Sequence, residues 1–275
     1  MTLAGFLELL TYPFVLRALA VGAMISLCAS MLGVVLVLKR YSLIGHGLSE
    51  VGFASLSVAA ALGLPPLLVA TPVVLLASFA ILFISQRWRV GGDIAIAVAS
   101  SSALALGVLA TALGPGLNTD VYGILFGSLL ATTGEDVAIS AGLAFLVLSA
   151  FLLFYNRLFL ITYSEDYARS LGIRVPLYHL LISALTALTV VLGMRMMGSL
   201  LISSLIILPA VTARRMAHGF RSLVILSAGF SLLCFFVGMG LSLVWDFPTG
   251  ASVVLANVGA LLLTQLLAWL RGRMH

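Results

Sequence analysis

Nine stretches of this sequence are apolar and long enough, or nearly long enough, to cross a lipid bilayer as helices. The hydrocarbon core of a bilayer is about 30 Å thick, so a helix needs about 20 mainly apolar residues to cross it. The predicted spans are Phe14–Leu38, Ser42–Gly63, Pro66–Ile84, Asp93–Gly114, Asp136–Tyr155, Leu177–Met197, Gly198–Arg214, Ser222–Trp245 and Gly250–Leu270. The stretch from Pro115 to Thr133 is apolar only in patches, a pattern compatible with a re-entrant or interfacial segment. The sequence therefore predicts an all-α, polytopic membrane helix bundle of about eight or nine transmembrane helices.

The composition excludes an ordinary soluble protein. Hydrophobic residues make up 62% of the 275 residues and charged residues only 8%, whereas a soluble domain carries about 25% charged residues. No long glycine- or serine-rich linker divides the chain, so residues 1–275 are predicted to form a single transmembrane domain.

The basic residues indicate the orientation of the spans. With the C-terminus placed in the cytoplasm, all of the 14 lysine and arginine residues except Arg17 and Arg195 fall on the cytoplasmic side. Positive charge concentrates in cytoplasmic loops of membrane proteins. The net charge of +5 is therefore explained by a cytoplasmic-membrane location, and no nucleic-acid partner is predicted.

His46 and Glu50 are the sharpest candidates for chemistry within a span. They are four residues apart, so they share one face of a helix in the cytoplasmic half of the second span. Ionisable residues inside a membrane are costly and usually functional. Imidazole nitrogen and carboxylate oxygen together suit divalent ions such as zinc, manganese or iron.

One histidine and one glutamate do not close a metal site. Two copies of the chain meeting at a two-fold axis would supply two of each around a central path. Gly45 and Ser49 are predicted to let such helices approach closely. The alternative interpretation is a His46–Glu50 pair that satisfies itself within one subunit.

The cytoplasmic segment from Asn156 to Pro176 differs from the other, shorter connections. Ser164 can cap a short helix, acidic residues follow it, and Gly172 can end the helix. A short capped helix outside the membrane is typical of a segment that docks onto a partner protein. The alternative interpretation is an ordinary amphipathic loop helix.

Other charged residues lie near the outer mouth of the predicted bundle. Asp120, Arg195 and Asp246 are the candidates there, although Asp246 also fits a simple turn between two spans. Glu135 and Asp136 lie on the same side, where a delivery protein or an incoming cation would meet them.

The motifs of several enzyme classes are missing from the sequence. Its one lysine, Lys39, is not preceded by a glycine-rich phosphate loop, and the sequence has neither His-Glu-x-x-His nor Gly-x-Ser-x-Gly. The chain is therefore predicted not to be an enzyme, and any ATP must be hydrolysed by a separate subunit.

Several motifs in order along the chain resemble the membrane permeases of bacterial ABC importers for zinc, manganese and iron. They are Lys39 to Gly45 with Gly47-Leu48-Ser49, Leu125 to Leu129, Gly198 to Ile202, Leu208 to Arg214, and Pro248-Thr249-Gly250. The resemblance implies a type II ABC importer-like permease that moves a divalent metal ion, zinc or manganese first and iron as a further possibility. It implies no permanently bound cofactor.

The resemblance also implies the partners. These are a second permease copy, two cytoplasmic ATP-binding subunits and an extracytoplasmic solute-binding protein. The coupling motif of such permeases, which inserts into the ATPase, is similar to the segment made of Glu165, Asp166, Tyr167, Ala168, Arg169 and Gly172.

The sequence departs from the family pattern at the predicted metal pair. The family typically has aspartate at the position of His46 and histidine at that of Glu50, so one nitrogen and one oxygen ligand remain in reversed order. The reversal fits the same ion, a shifted selectivity or a cargo other than a free metal ion. Two alternatives to a free-ion importer stay open as well. The cargo is a metal chelate or small organic nutrient, or the chain is an ion-coupled secondary transporter with His46 and Glu50 as a proton relay.

Overall fold

The computed structural model describes residues 12–41, 43–87, 92–113, 127, 133–245 and 247–272, and every regular element among them is a helix. The helices are α1 Pro13–Leu38, α2 Ile44–Ala61, α3 Pro66–Arg87, α4 Gly92–Leu113, α5 Gly134–Leu153, α6 Tyr155–Tyr163, α7 Glu165–Ser170, α8 Val175–Met197, α9 Ser199–Arg214, α10 Phe220–Trp245 and α11 Thr249–Gly272.

The helix lengths confirm the predicted membrane bundle. Within the described residues, seven helices are long and apolar enough to cross a membrane, namely α1, α3, α4, α5, α8, α10 and α11. The two other predicted spans form α2, which has 18 residues and carries His46 and Glu50, and α9, which has 16 residues. At 1.5 Å per residue α9 is about 24 Å long, which is shorter than the hydrocarbon core.

Helix α1 forms the centre of the bundle, and small residues let its neighbours approach closely. A Cβ atom at Gly33 would lie 1.9 Å from the carbonyl oxygen of Ile206 in α9, so the two backbones touch at this point. On the α10 side, the hydroxyl of Ser231 donates a hydrogen bond of 3.0 Å to the carbonyl oxygen of Ser26. Hydrogen bonds and close packing both hold helices together where the hydrophobic effect between them is weak.

The cytoplasmic segment between α5 and α8 contains two helices, whereas the sequence predicted one. The predicted short helix is α7, and α6 precedes it directly after α5. Pro176 lies in the first turn of α8, where its missing N–H costs nothing. The boundary predicted at Pro176 is therefore the start of the next span.

The outer connections lie largely outside the described residues. The segment predicted to be re-entrant is described only at Gly127 and Thr133. Gly127 has a φ of 72°, and a Cβ atom there would lie 2.2 Å from the backbone carbon of Met197. Gly127 itself therefore lies against the turn between α8 and α9, a contact that only glycine allows.

Candidate metal centre

The His46–Glu50 pair lies near the cytoplasmic end of α2, on one face of the helix. His46 Nε2 and Glu50 Oε1 are 3.1 Å apart, and 53% of the His46 side chain and 17% of the Glu50 side chain are exposed. Two ligands in one coordination shell with bonds of about 2.05 Å lie about 2.9 Å apart in an octahedron and about 3.4 Å apart in a tetrahedron. The two atoms thus already have the separation of neighbouring metal ligands.

A single chain offers only part of a metal site. Over the described stretches of the chain, no group of three or more histidine, cysteine, aspartate and glutamate side chains lies close enough to hold a metal ion. A structural zinc site has four ligands. The half-exposed imidazole of His46 leaves the pair open to ligands from outside the chain.

Ser100 of α4 is a further partner of Glu50. Its hydroxyl donates a hydrogen bond to Glu50 Oε2, the carboxylate oxygen that does not face His46. Close packing of the two helices makes the contact possible, because a Cβ atom at Gly47 would lie 2.6 Å from Ile96 Cγ2, one turn before Ser100. The two oxygens of Glu50 therefore have different partners.

The small residues Gly45 and Ser49 pack inside the chain, contrary to the prediction that they face a second copy. A Cβ atom at Gly45 would lie 2.8 Å from Ile206 Cδ1 of α9, and Ser49 is 1% exposed. The Ser49 hydroxyl donates to the Gly45 carbonyl oxygen at 2.7 Å. These residues bring α2 against α9, and His46 lies on the free side of the helix.

The segment with the predicted coupling residues forms the short helix α7. Ser164 accepts a hydrogen bond of 3.3 Å from the backbone N–H of Tyr167, and Gly172, with a φ of 78°, follows the helix. These observations confirm the predicted cap and terminator. Among the coupling candidates, Asp166, Tyr167, Arg169 and Gly172 are exposed, whereas Ala168 is buried and Glu165 is partly buried.

Glu165 faces the membrane helices, where it meets two other ionisable groups. It forms an ion pair with Lys39 at the end of α1, and its Oε1 lies 3.3 Å from His179 Nε2 of α8. Lys39 Nζ and His179 Nε2 are 3.2 Å apart. This ionic cluster of Lys39, Glu165 and His179 ties α7 to two membrane helices.

The protonation equilibrium of Glu165 reflects this environment. Partial burial raises the pKa of the carboxyl group. The hydrogen bond and charge of Lys39, together with the charges of His179 and Arg169, outweigh burial and hold the pKa below its ordinary value of 4.5. Glu165 is therefore a carboxylate at neutral pH, which suits its ion pair with Lys39.

The predicted outer-mouth residues have different outcomes. Asp120 and Asp246 lie outside the described residues. Arg195 lies in the last turn of α8, and its Nη1 is 3.4 Å from Asp136 Oδ1. Asp136 is 5% exposed and also forms the capping box of α5 with Thr133. Asp136 thus links α5 to α8. It is not exposed to a delivery protein or an incoming cation, contrary to the prediction from the sequence.

Sequence reasoning missed Ser100, His179 and the role of Lys39. Signals for all three are present in the sequence. Ser100 opens a run of three serines in an otherwise apolar span, His179 is an ionisable residue within a predicted span, and Lys39 is the only lysine. Each pattern marks a polar group that needs a partner in an apolar environment.

The bundle, the partly exposed histidine–glutamate pair and the short helices α6 and α7 define a polytopic membrane protein that carries ionisable groups among its helices. The sequence profile of the ABC 3 transport family matches residues 11–268, and the chain belongs to that family. It is a multi-pass integral protein of the bacterial plasma membrane, and its family is one of transport permeases.

Curated relatives match along nearly the whole chain. The manganese import system permease protein ScaB of Streptococcus gordonii is 31% identical over 250 residues, which cover 90% of this chain and 88% of ScaB. The high-affinity zinc uptake system membrane protein ZnuB of Haemophilus influenzae is 30% identical over 246 residues, which cover 90% of this chain and 94% of ZnuB.

A solved structure has the same fold. The structure of PsaBC from Streptococcus pneumoniae in complex with a Fab matches with a TM-score of 0.85 and 29% identity, and the match covers 96% of this chain and 95% of that one. The resemblance inferred from the sequence motifs is therefore confirmed at the level of family and fold.

Proposed function

We propose that this chain is the permease subunit of an ATP-driven importer for a divalent transition-metal ion, with zinc or manganese as cargo. The observation that carries the proposal is the His46–Glu50 pair, whose donor atoms are 3.1 Å apart on a partly exposed helix face. Imidazole and carboxylate are the ligands that such ions accept. The relatives ScaB, a manganese import permease, and ZnuB, a zinc uptake membrane protein, support the same cargo class.

The ion passes along the interface of a permease homodimer. One chain supplies one nitrogen and one oxygen donor, and two copies supply two of each around a two-fold axis. The 53% exposure of the His46 side chain leaves the imidazole free to meet such an interface. The reversed order of the two ligand types keeps the same donor count as the family pattern.

Cytoplasmic ATP-binding subunits drive transport through α7, and an extracytoplasmic solute-binding protein delivers the ion. The exposed residues Asp166, Tyr167 and Arg169 form the surface that meets the ATPase. The sequence lacks a phosphate-binding loop, so ATP is hydrolysed on the partner. This arrangement fits the family to which the chain belongs.

Metal uptake by cells that express the chain with its ATPase and solute-binding protein tests the proposal. Zinc, manganese and iron are assayed in parallel, with a His46→Ala, Glu50→Ala double variant beside the wild type. We expect ATP-dependent uptake of one ion in the wild type and loss of that uptake in the assembled double variant.

Three results would contradict the proposal. Uptake at the wild-type rate by the double variant would exclude the metal role of the pair. Failure of the assembled, ATP-hydrolysing wild type to take up any of the three ions would indicate a chelate or organic nutrient as cargo. Gradient-driven transport by the chain alone in vesicles would instead indicate a secondary transporter.

A further inference from the structure

Ser100 lies beside the metal pair in a position that the packing of α2 against α4 fixes. Only 8% of Ser100 is exposed. A Cβ atom at Gly107 of α4 would lie 3.0 Å from the Cα atom of Ala54, so α2 and α4 approach closely on both sides of Ser100 along α4. The packing therefore holds the backbone of Ser100 close to Glu50.

The two oxygens of the Glu50 carboxylate contact different residues. Ser100 donates to Oε2, and Oε1 faces His46 Nε2 at 3.1 Å. A hydrogen bond to a charged acceptor in an apolar environment is about twice as strong as one between neutral groups. Rotation of the carboxylate to offer both oxygens to an ion would break this bond.

We propose that Ser100 is a positioning residue that holds Glu50 as a one-oxygen ligand and thereby makes the site prefer zinc over manganese. This inference rests on the proposed function, because it assumes that the His46–Glu50 pair of two subunits binds the transported ion. Two imidazole nitrogens and two single carboxylate oxygens make four donors, the number that a tetrahedral zinc ion takes. Manganese prefers octahedral shells that are rich in oxygen, which two-oxygen carboxylates would supply better.

The test is the uptake kinetics of zinc and manganese in Ser100→Ala and Ser100→Thr complexes with their ATPase and solute-binding protein. Loss of a group that orients a metal ligand typically costs about 10- to 100-fold in metal affinity. We expect Ser100→Ala to raise the KM for zinc by about tenfold or more, with the maximal rate and ATP hydrolysis close to wild type. The KM for manganese should rise less, so that the preference for zinc falls. Ser100→Thr keeps the hydroxyl and should restore both values.

Ser102→Ala is the matched control. Ser102 lies on the same helix but is exposed, and its hydroxyl donates to the carbonyl oxygens of Val98 and Ala99 in its own helix. Its loss should leave both KM values unchanged. A Ser100→Val and Ser100→Thr pair, which differs by the hydroxyl at equal shape, replaces the alanine comparison where the alanine variant does not assemble.

An unchanged KM and an unchanged preference for zinc in Ser100→Ala would overturn the inference, as would equal KM values in the valine and threonine variants. These results leave the proposed function intact as long as the His46→Ala, Glu50→Ala variant still loses uptake. Wild-type uptake by that double variant would contradict the proposed function itself, and with it the role of Ser100.

Discussion

The His46–Glu50 pair and the Lys39–Glu165–His179 cluster both combine a histidine with a glutamate near the cytoplasmic side, yet they are built differently. His46 and Glu50 lie on one helix, whereas the cluster joins α1, α7 and α8. The side chain of His46 is 53% exposed and that of His179 is 8% exposed. A histidine and a glutamate thus form an accessible pair on α2, whereas in the cluster they link α7 to α1 and α8.

The source of positive charge separates the two regions further. In the cluster, the Lys39 ammonium group lies next to both Glu165 and His179. Among the ion pairs of the described residues, none joins Glu50 to a lysine or an arginine. A buried carboxylate needs a compensating charge. The cluster carries its own cation, whereas in the proposed function the transported ion supplies the cation of the pair.

Exchanging the ligands of the pair gives the largest expected effect. A His46→Asp variant would give each subunit two carboxylates and no imidazole, and we expect metal uptake to fall by about 100-fold or more, beyond the usual loss for a supporting residue. The double variant His46→Asp, Glu50→His restores one nitrogen and one oxygen per subunit in the order typical of the family. Its uptake should stay within about tenfold of wild type.

Radioactive metal uptake by cells with equal amounts of assembled complex measures both variants. Full uptake by His46→Asp alone would show that the imidazole is not a ligand. Equal losses in the single and double variants would show that the position of each donor matters more than its chemistry.

Removing the cation of the cluster should have a smaller effect of a different kind. Lys39→Met removes the ammonium group from the cluster, while Glu165 keeps Arg169 at 3.5 Å and His179 at 3.3 Å. The loss of this one polar partner is expected to cost about 1 kcal/mol. A loss of about 1 kcal/mol changes an equilibrium about fivefold. Because the cluster joins α7 to the membrane helices, we expect the number of ions imported per ATP to fall about fivefold or more, with ATP hydrolysis maintained.

The ratio of uptake to ATP hydrolysis in proteoliposomes is the measurement. Arg221→Met is the control, since Arg221 is an exposed basic residue in the first turn of α10. A wild-type ratio in the Lys39→Met complex would show that the cluster does not transmit motion between α7 and the bundle.

The smallest effect concerns stability in acid. Because the pKa of Glu165 lies below its ordinary value of 4.5, the folded state binds its proton less readily than the unfolded state does. Its contribution to stability is therefore complete above about pH 4.5 and is lost as the pH falls through the lowered value. We expect the Tm difference between wild type and Glu165→Gln to shrink as the pH is lowered through this range.

Thermal unfolding of the detergent-solubilised complex between pH 3 and 7 measures the Tm difference on the order of a few degrees. Asp166→Asn is the neighbouring control, because Asp166 is an exposed acid in the same helical turn. A constant Tm difference between wild type and Glu165→Gln over the whole pH range would show that the Lys39–Glu165 ion pair does not cause this difference.

The sequence predicted what depends on local spacing. Apolar runs located the membrane helices, the spacing of four residues placed His46 beside Glu50, and Ser164 with Gly172 bounded α7. Contacts between distant residues had no such signal. Ser100 meets Glu50 across 50 positions and Lys39 meets Glu165 across 126, so each pairing depends on how whole helices pack.

Packing also decided the role of the small residues. The pattern of Gly45 and Ser49 predicts a close helix contact, and the structure has one. The partner is α9 of the same chain, however, and the pattern alone does not distinguish the neighbours of a helix. Helix α6 was missed because residues 156–163 were assigned to the cytoplasmic connection, in which only the short helix after Ser164 was predicted.

Lys39 is the only lysine in the chain, and its side chain is 10% exposed. Apart from a terminal α-amine, an acylating reagent that modifies amines has this one target in the permease. Its ammonium group donates a hydrogen bond to Glu165 of α7, and only the deprotonated, accessible amine reacts with such a reagent. Slow acylation at Lys39 would therefore indicate a seated α7, and faster acylation would indicate separation of α7 from the bundle.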